Sequence, residues 1–259
     1  MTAQPNETLE SLGFFLEPKE ASNKWIDQKI LLAGVPKIGK TALMAQGGES
    51  TWFLRFEAGF NHLKTYGVDC RDYEDMNKAI EGLLKANAAG LFKWDTLVFD
   101  HGQKVMDFIG DHVVALGREK FVNSEINEIG DIGKGTGWYW YKNAIKMLLT
   151  RLDPLPCAKV FIMHVHTEEK NDNPKDKSKS YRREIVSLSE KLGGSLREWA
   201  DSIFQIKSGY VGDNMLARSL VTRGSKVLEA GSRSKSLPES ISFSSDESVN
   251  YKKLRSYFG

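Results

Sequence analysis

A chain of 259 residues, 41% hydrophobic and with a formal net charge of +2, is long enough to bury a full core as one large α/β domain or one domain with a small appendage, which excludes a disordered polymer. The near-balance of charge excludes a polycation, so any contact with nucleic acid has to come from local patches. Cys70 and Cys157 lack CxxC spacing, which argues against a disulfide framework and a zinc site, and no apolar stretch approaches the ~18 residues of a membrane span or forms the h-region of a leader, so a cytoplasmic protein without membrane contact is expected.

Residues 1–24 are polar and mixed, with Leu9, Leu12, Phe14, Phe15 and Leu16 as an apolar cluster, and read as a tail packed loosely on the core. The run Ile30-Leu31-Leu32-Ala33 has strand character and feeds Gly34-Val35-Pro36-Lys37-Ile38-Gly39-Lys40-Thr41, a G-x-x-x-x-G-K-T loop, after which Ala42, Leu43 and Met44 favour a helix. Such a loop turns several backbone N–H groups onto one anion, and the helix start adds the positive end of its dipole. Phosphate is the expected guest. Residues Gly34 to Ala42 would cradle it, Lys40 would reach the β- and γ-phosphates, and the Thr41 hydroxyl would complete the shell of a Mg²⁺ ion.

Gly47 and Gly48 stop that helix, and Thr51 to Phe56 form an aromatic, β-favouring run that ends in Glu57-Ala58-Gly59. Met76, Ile80, Leu83 and Leu84 then recur at helical spacing over residues 75–87. Trp94 to Phe99 is an apolar strand closed by Asp100, placed to hold the water shell of Mg²⁺ beside the phosphates. Asp107 to Glu128 reads as one or two helices with Phe108, Ile109, Val113, Val114 and Leu116 inside. A glycine-rich loop, Gly130 to Gly137, precedes Trp138-Tyr139-Trp140-Tyr141, and Tyr141, Ala144, Ile145, Leu148 and Leu152 mark a helix stopped at Asp153-Pro154. Lys159 to His166 is a buried strand whose alternation puts Val160, Ile162, His164 and His166 on one face.

Residues 168–183 have almost no apolar side chain and read as a flexible excursion. Leu188, Leu192, Leu196 and Trp199 resume a helical face, Asp201 to Ile206 is a short strand, and Leu216 to Thr222 with Lys226 to Glu229 read as a hairpin around Gly224. The Ser-rich last thirty residues are expected to lap the edge of the sheet. Strands and helices alternate throughout, which predicts a mostly parallel central sheet flanked by helices.

Several side chains carry two readings. Glu57, at a strand end beside the phosphate loop, would orient or deprotonate the attacking water, or is a solvated turn residue. One of His164 and His166 would sense the γ-phosphate, or both are ordinary strand-end histidines; no third ligand makes them a metal pair. Lys134 and Trp138, followed by Lys175, Lys177, Lys179, Arg182 and Arg183 against Asp176, would bind single-stranded DNA through stacking and charge; otherwise the basic run is a solvated face and Trp138 belongs to the first turn of the following helix.

The segments Gly34 to Thr41, Trp52 to Gly59, Leu97 to Asp100, Gly130 to Trp138, Val160 to Lys170 and Leu237 to Glu239 resemble the phage-encoded, RecA-like P-loop ATPases of the AAA_24 or Sak-type group, recombinase-core proteins that assist single-strand annealing. The resemblance spans roughly residues 25–245 and implies an α/β RecA-like core over 25–206, followed over 207–259 by a C-terminal β-hairpin extension and a basic tail. It also implies Mg²⁺-ATP held between subunits of a ring or filament, Glu57 as the catalytic glutamate, His164 as the strand-end sensor, and a single-strand-binding protein as a further partner. Where such proteins place a Lys two residues before an Arg, this chain has Gly231-Ser232-Arg233, leaving Arg233 or Lys235 for a trans-acting role. The function expected is an ATPase of phage recombination or replication that assembles on single-stranded DNA. Its rivals are a non-catalytic assembly protein gated by nucleotide and, less favoured, a nucleotide kinase.

Overall fold

In the computed structural model, which describes residues 22–57, 63–122, 125–173, 176–188, 190–211 and 215–259, β1 (Lys29–Ala33) is apolar on both sides because it runs through the middle of a sheet. Leu31 and Ala33 face one layer of core, and Ile30 and Leu32 face the other. The chain continues through α1 (Lys40–Ala45), β2 (Thr51–Arg55), β3 (Tyr66–Asp69), α2 (Tyr73–Ala88), β4 (Thr96–Asp100), α3 (Gly102–Lys120), α4 (Thr136–Leu152) and β5 (Ala158–Met163). It is completed by β6 (Val165–Asn171), β7 (Ser180–Val186), α5 (Glu190–Trp199), β8 (Ser202–Val211), β9 (Met215–Val221), β10 (Gly231–Ser232), β11 (Ser240–Ser242) and α6 (Asn250–Arg255).

The sheet order is β11-β9-β8-β1-β5-β4-β2-β3, with β10 paired to β8. From β8 to β3 every pairing is parallel, whereas β9 and β11 are antiparallel additions at the far edge. The predicted mostly parallel sheet flanked by helices is therefore present. One face packs against α2, α3, α4 and α5 through Met76, Ile80, Ile109, Tyr141, Ile145 and Leu196. The other packs against α1 and α6, with Trp25, Tyr251, Leu254 and Phe258 closing it. Trp25 donates its indole N–H to Thr96 Oγ1 at 2.7 Å, and the Tyr251 hydroxyl meets the same oxygen at 2.7 Å, so the C-terminal helix is tied to the start of β4. Among the described residues no helix is long and apolar enough to cross a membrane.

Several expectations need correction. The flexible excursion expected over residues 168–183 is instead built largely from two strands: β6 and β7 form an antiparallel ribbon, joined by a backbone ladder and by opposite charges across the pair, with Glu168 opposite Arg183 and Glu169 opposite Arg182. The C-terminal hairpin is made by β8 and β9, so the strand over 216–222 folds back on 202–211 rather than forward on 226–229. β8 accordingly runs past Ile206, the expected end of the strand, to Val211. The strand expected over Lys159 to His166 ends at Met163, and His164 lies in a break before β6. α4 begins at Thr136, which places Trp138, Tyr139 and Trp140 within its first turns behind a loop whose Lys134 and Gly135 have φ of 51° and 83°. α3 begins ahead of the expected 107–128 segment and ends at Lys120, and β3 has no apolar signal in the sequence. The tail over residues 1–21 lies outside the described residues.

Candidate nucleotide-binding site

The parallel order sets the carboxyl ends of β1, β5, β4 and β2 in one row, with Asp100 level with Arg55 on one side and Ile162 on the other. The glycine loop leaves β1 in that row and turns into α1 at Gly39. Gly39 is the left-handed N-cap of α1, with φ 102°, a backbone conformation that calls for glycine, and a Cβ there would lie 2.5 Å from Arg218 Nη1, the movable end of a long side chain. Lys40 folds back along the loop, and its buried ammonium donates to the carbonyls of Gly34 at 2.9 Å and Val35 at 2.8 Å. Burial lowers its pKa to about 8, against the opposing pull of Asp100.

Thr41 projects from the first turn of α1 and its hydroxyl donates to the Asp100 carboxylate, 3.1 Å from one oxygen and 3.3 Å from the other. Burial raises the Asp100 pKa to about 6; the Thr41 hydrogen bond and Lys40 act the other way, while the Glu57 charge adds to the rise. A desolvated carboxylate beside a hydroxyl suits a cation. Among the described residues there is no cluster of three His, Cys, Asp or Glu fit to hold a metal ion. That donor set fits Mg²⁺, which takes few protein ligands and keeps water and phosphate oxygens, and does not fit zinc.

Gly39, Lys40 and Thr41 of the loop line one cleft of about 460 Å³ with Glu57, Asp100, His101 and His164, while Gly34 and Val35 lie outside its lining. Pro36, Lys37 and Ala42 line it too, whereas the Ile38 side chain packs into the core on the α1 face and its carbonyl accepts from Arg218 Nη1 at 3.3 Å. Arg218 is also paired with Glu247. Glu57 is half exposed, with its Oε1 3.5 Å from His101 Nε2. His164 is half-buried at the break after β5, and its pKa is lowered by burial and then by Lys40 and His101, which favours the neutral ring. His166 is exposed on the ribbon beside Glu168, so the break, and not strand alternation, separates the two histidines. The α3 residue Gln103 secures it: His164 N donates to Gln103 Oε1 at 3.5 Å and Gln103 Nε2 donates to the Ser187 carbonyl.

Sequence reasoning missed two neighbours of this cleft. His101 follows Asp100 directly and had a positional signal; Arg218, on β9, had none. A further groove of about 260 Å³ between α2, α3 and α4 is lined largely by apolar and aromatic side chains and has no phosphate-binding loop.

The residues expected on DNA are dispersed. Lys134 is exposed in the turn before α4, Trp138 is half-buried with its ring 6.5 Å from Tyr141, and Tyr139 is the outward aromatic of that turn. Lys179 and Arg182 are exposed and Arg183 is half-buried; Lys175 and the Lys177 side chain lie outside the described residues. The basic run faces Glu168 and Glu169 on β6 as well as Asp176, so its field is weaker than its own segment suggests. Arg233 is engaged within the chain by Asp201 at 2.8 Å and the Glu198 carbonyl at 3.1 Å, and Lys235 is exposed.

The desolvated, partly buried charge on Asp100 is expected to carry a cost. Its proton is held more tightly in the folded than in the unfolded chain, so the penalty is absent below about pH 4, grows through pH 6 and is complete above it. Asp100→Asn, although unfit to hold Mg²⁺, is expected to stabilise the nucleotide-free protein by about 1–2 kcal/mol at pH 7.5, a rise of a few degrees in Tm. Melts at pH 7.5 and pH 4 check this, since the gain should shrink at the lower pH.

A family model described as an AAA domain, AAA_24, matches residues 26–234. No curated protein matches the chain.

Proposed function

The chain belongs to the AAA_24 family of AAA-type P-loop ATPases, and from that premise we propose that it binds Mg²⁺-ATP in the cleft at the carboxyl ends of β1, β5, β4 and β2 and hydrolyses it. The observation that carries this reading is the contact of Thr41 Oγ1 with Asp100 at 3.1 Å, across a cleft that also holds Lys40 and Glu57. When bound, Mg²⁺ supplies neutralisation of phosphate charge; Thr41 and Asp100 are the residues that would hold it and its waters. Lys40 exchanges the carbonyls of Gly34 and Val35 for phosphate oxygens, a move from neutral acceptors to anionic ones. Glu57 accepts the proton of the attacking water, and neutral His164 donates a hydrogen bond to the γ-phosphate.

A pH profile follows from the two perturbed groups. Asp100 must be ionised and Lys40 protonated for Mg²⁺-ATP to be captured, so kcat/KM should fall below about pH 6 and above about pH 8, with a plateau between. A rate that stays flat from pH 5 to 9.5 in enzyme of unchanged fold removes both assignments.

The proposal extends to assembly on single-stranded DNA in phage recombination or replication, as a ring or filament with ATP between subunits. It is supported by the resemblance in sequence, by exposed Lys134 and Tyr139 at the start of α4, and by Lys179 and Arg182 on the ribbon that continues from His164. Phosphate release by the wild type, with and without single-stranded DNA and across a salt series, is the test. Turnover without any stimulation or binding at low salt leaves the ATPase and ends the DNA reading; no turnover at all ends the ATPase reading.

A further inference from the structure

His101 occupies a left-handed backbone conformation, φ 85° and ψ 75°, at the N-cap of α3. For a residue with a Cβ this is strained, and such strain persists where the surroundings require it. What the conformation achieves is legible in the ring. Nδ1 accepts the backbone N–H of Lys104 at 3.3 Å and so caps the helix, which puts the proton of the neutral imidazole on Nε2. Nε2 faces Glu57 Oε1 at 3.5 Å, and the ring stands edge-on to His164 with centroids 4.8 Å apart. Its side chain is 20% exposed and that of Glu57 51%, so the imidazole is the fixed partner and the carboxylate the movable one.

We propose that His101 is a positioning residue for the reaction: its Nε2–H holds the Glu57 carboxylate over the cleft, toward the water that attacks the γ-phosphate. The inference rests on the ATPase reading of the same cleft and deepens it. A carboxylate on a half-exposed strand end has many rotamers, and orienting it by one donor confines it to the geometry in which a base works. Separations near 3.5 Å before nucleotide binds are ordinary for such pairs, which tighten in the complex. Because the ring is anchored at its other nitrogen to α3, the direction of the donor is set by the fold and not by the substrate.

The two roles of His101 are separable by substitution. His101→Asn keeps both the tolerance for a left-handed backbone and an oxygen that can cap α3, but is too short to reach Glu57. His101→Gln offers an N–H at nearly the length of the imidazole. Steady-state hydrolysis of Mg²⁺-ATP, KM and melting temperature are measured for the wild type, His101→Asn, His101→Gln, Glu57→Gln and the double variant His101→Asn with Glu57→Gln. Expected are a fall in kcat of about tenfold or more for His101→Asn with KM and melting unchanged, partial recovery in His101→Gln, and no further loss when His101→Asn is added to Glu57→Gln. A wild-type kcat for His101→Asn, a rise in KM in place of a fall in kcat, or losses that multiply in the double variant would each overturn the proposal. Should His101→Asn fail to fold, a loss of kcat in His101→Gln that multiplies with that of Glu57→Gln in their double variant overturns it equally. If Glu57→Gln is slow while His101→Asn is not, only the positioning role fails; if the wild type releases no phosphate, the ATPase reading fails with it.

Discussion

Lys40→Ala is expected to reduce ATP hydrolysis by about 10²–10³-fold or more while the protein still folds, because the ammonium is the charge that answers the developing negative charge on the transferred phosphoryl group. Its role in the core is small. The stem is buried, but the ammonium is bound to two carbonyls of its own loop, and its lowered pKa shows that the fold holds the charge at a cost rather than gaining from it. Truncation therefore leaves Gly34 and Val35 to be solvated through the cleft and removes a desolvated charge, so melting should be unchanged or slightly raised. Phosphate release read beside a thermal melt decides it. Wild-type turnover with an unchanged melt would show that the cleft does not hydrolyse nucleotide through this loop.

Glu57→Gln should slow hydrolysis by about a hundredfold or more and leave ATP affinity nearly intact, the signature of a lost base as opposed to a lost ligand. The structure separates Glu57 from the phosphate-binding parts. It lies just beyond β2, its Oε1 is 3.5 Å from His101 Nε2, and the hydrogen bonds of Lys40 and Thr41 go to the loop carbonyls and to Asp100. Asp100 differs, being bonded to Thr41, and Asp100→Asn should lose Mg²⁺-dependent binding together with rate. The two carboxylates are nevertheless coupled: the Glu57 charge raises the Asp100 pKa, so Glu57→Gln should also move the acid limb of kcat/KM to lower pH. Paired measurement of affinity, rate and pH profile tests all three statements. If Glu57→Gln hydrolyses ATP normally, Glu57 is a turn residue and nothing more.

What the sequence determined by itself is what a few consecutive residues can encode. Gly34 to Thr41 between an apolar run and a helix, Asp100 closing an apolar strand, and the helical faces of residues 75–87 and 141–152 are all local patterns, and each falls on the secondary-structure element expected for it. The tertiary structure decided everything that depends on which strand lies beside which. Four apolar residues in a row predict a buried strand but not its neighbours, so only the sheet shows β5 between β1 and β4, with His164 delivered to the cleft and His166 sent out on the ribbon. The ribbon itself was invisible because its strands have no apolar alternation; a backbone ladder and charges opposed across the pair hold it, and these form only when residues well apart in the chain, such as Glu168 and Arg183, meet. The β8–β9 hairpin was misplaced by the Gly224 turn signal, because the long strand that pairs with 216–221 passes through Lys207, Ser208 and Gly209, residues of weak strand propensity stabilised by their partner. Arg218 at the loop and His101 beside Glu57 are likewise products of pairing and backbone geometry, since contact between distant segments is set by register, which no single stretch of residues carries.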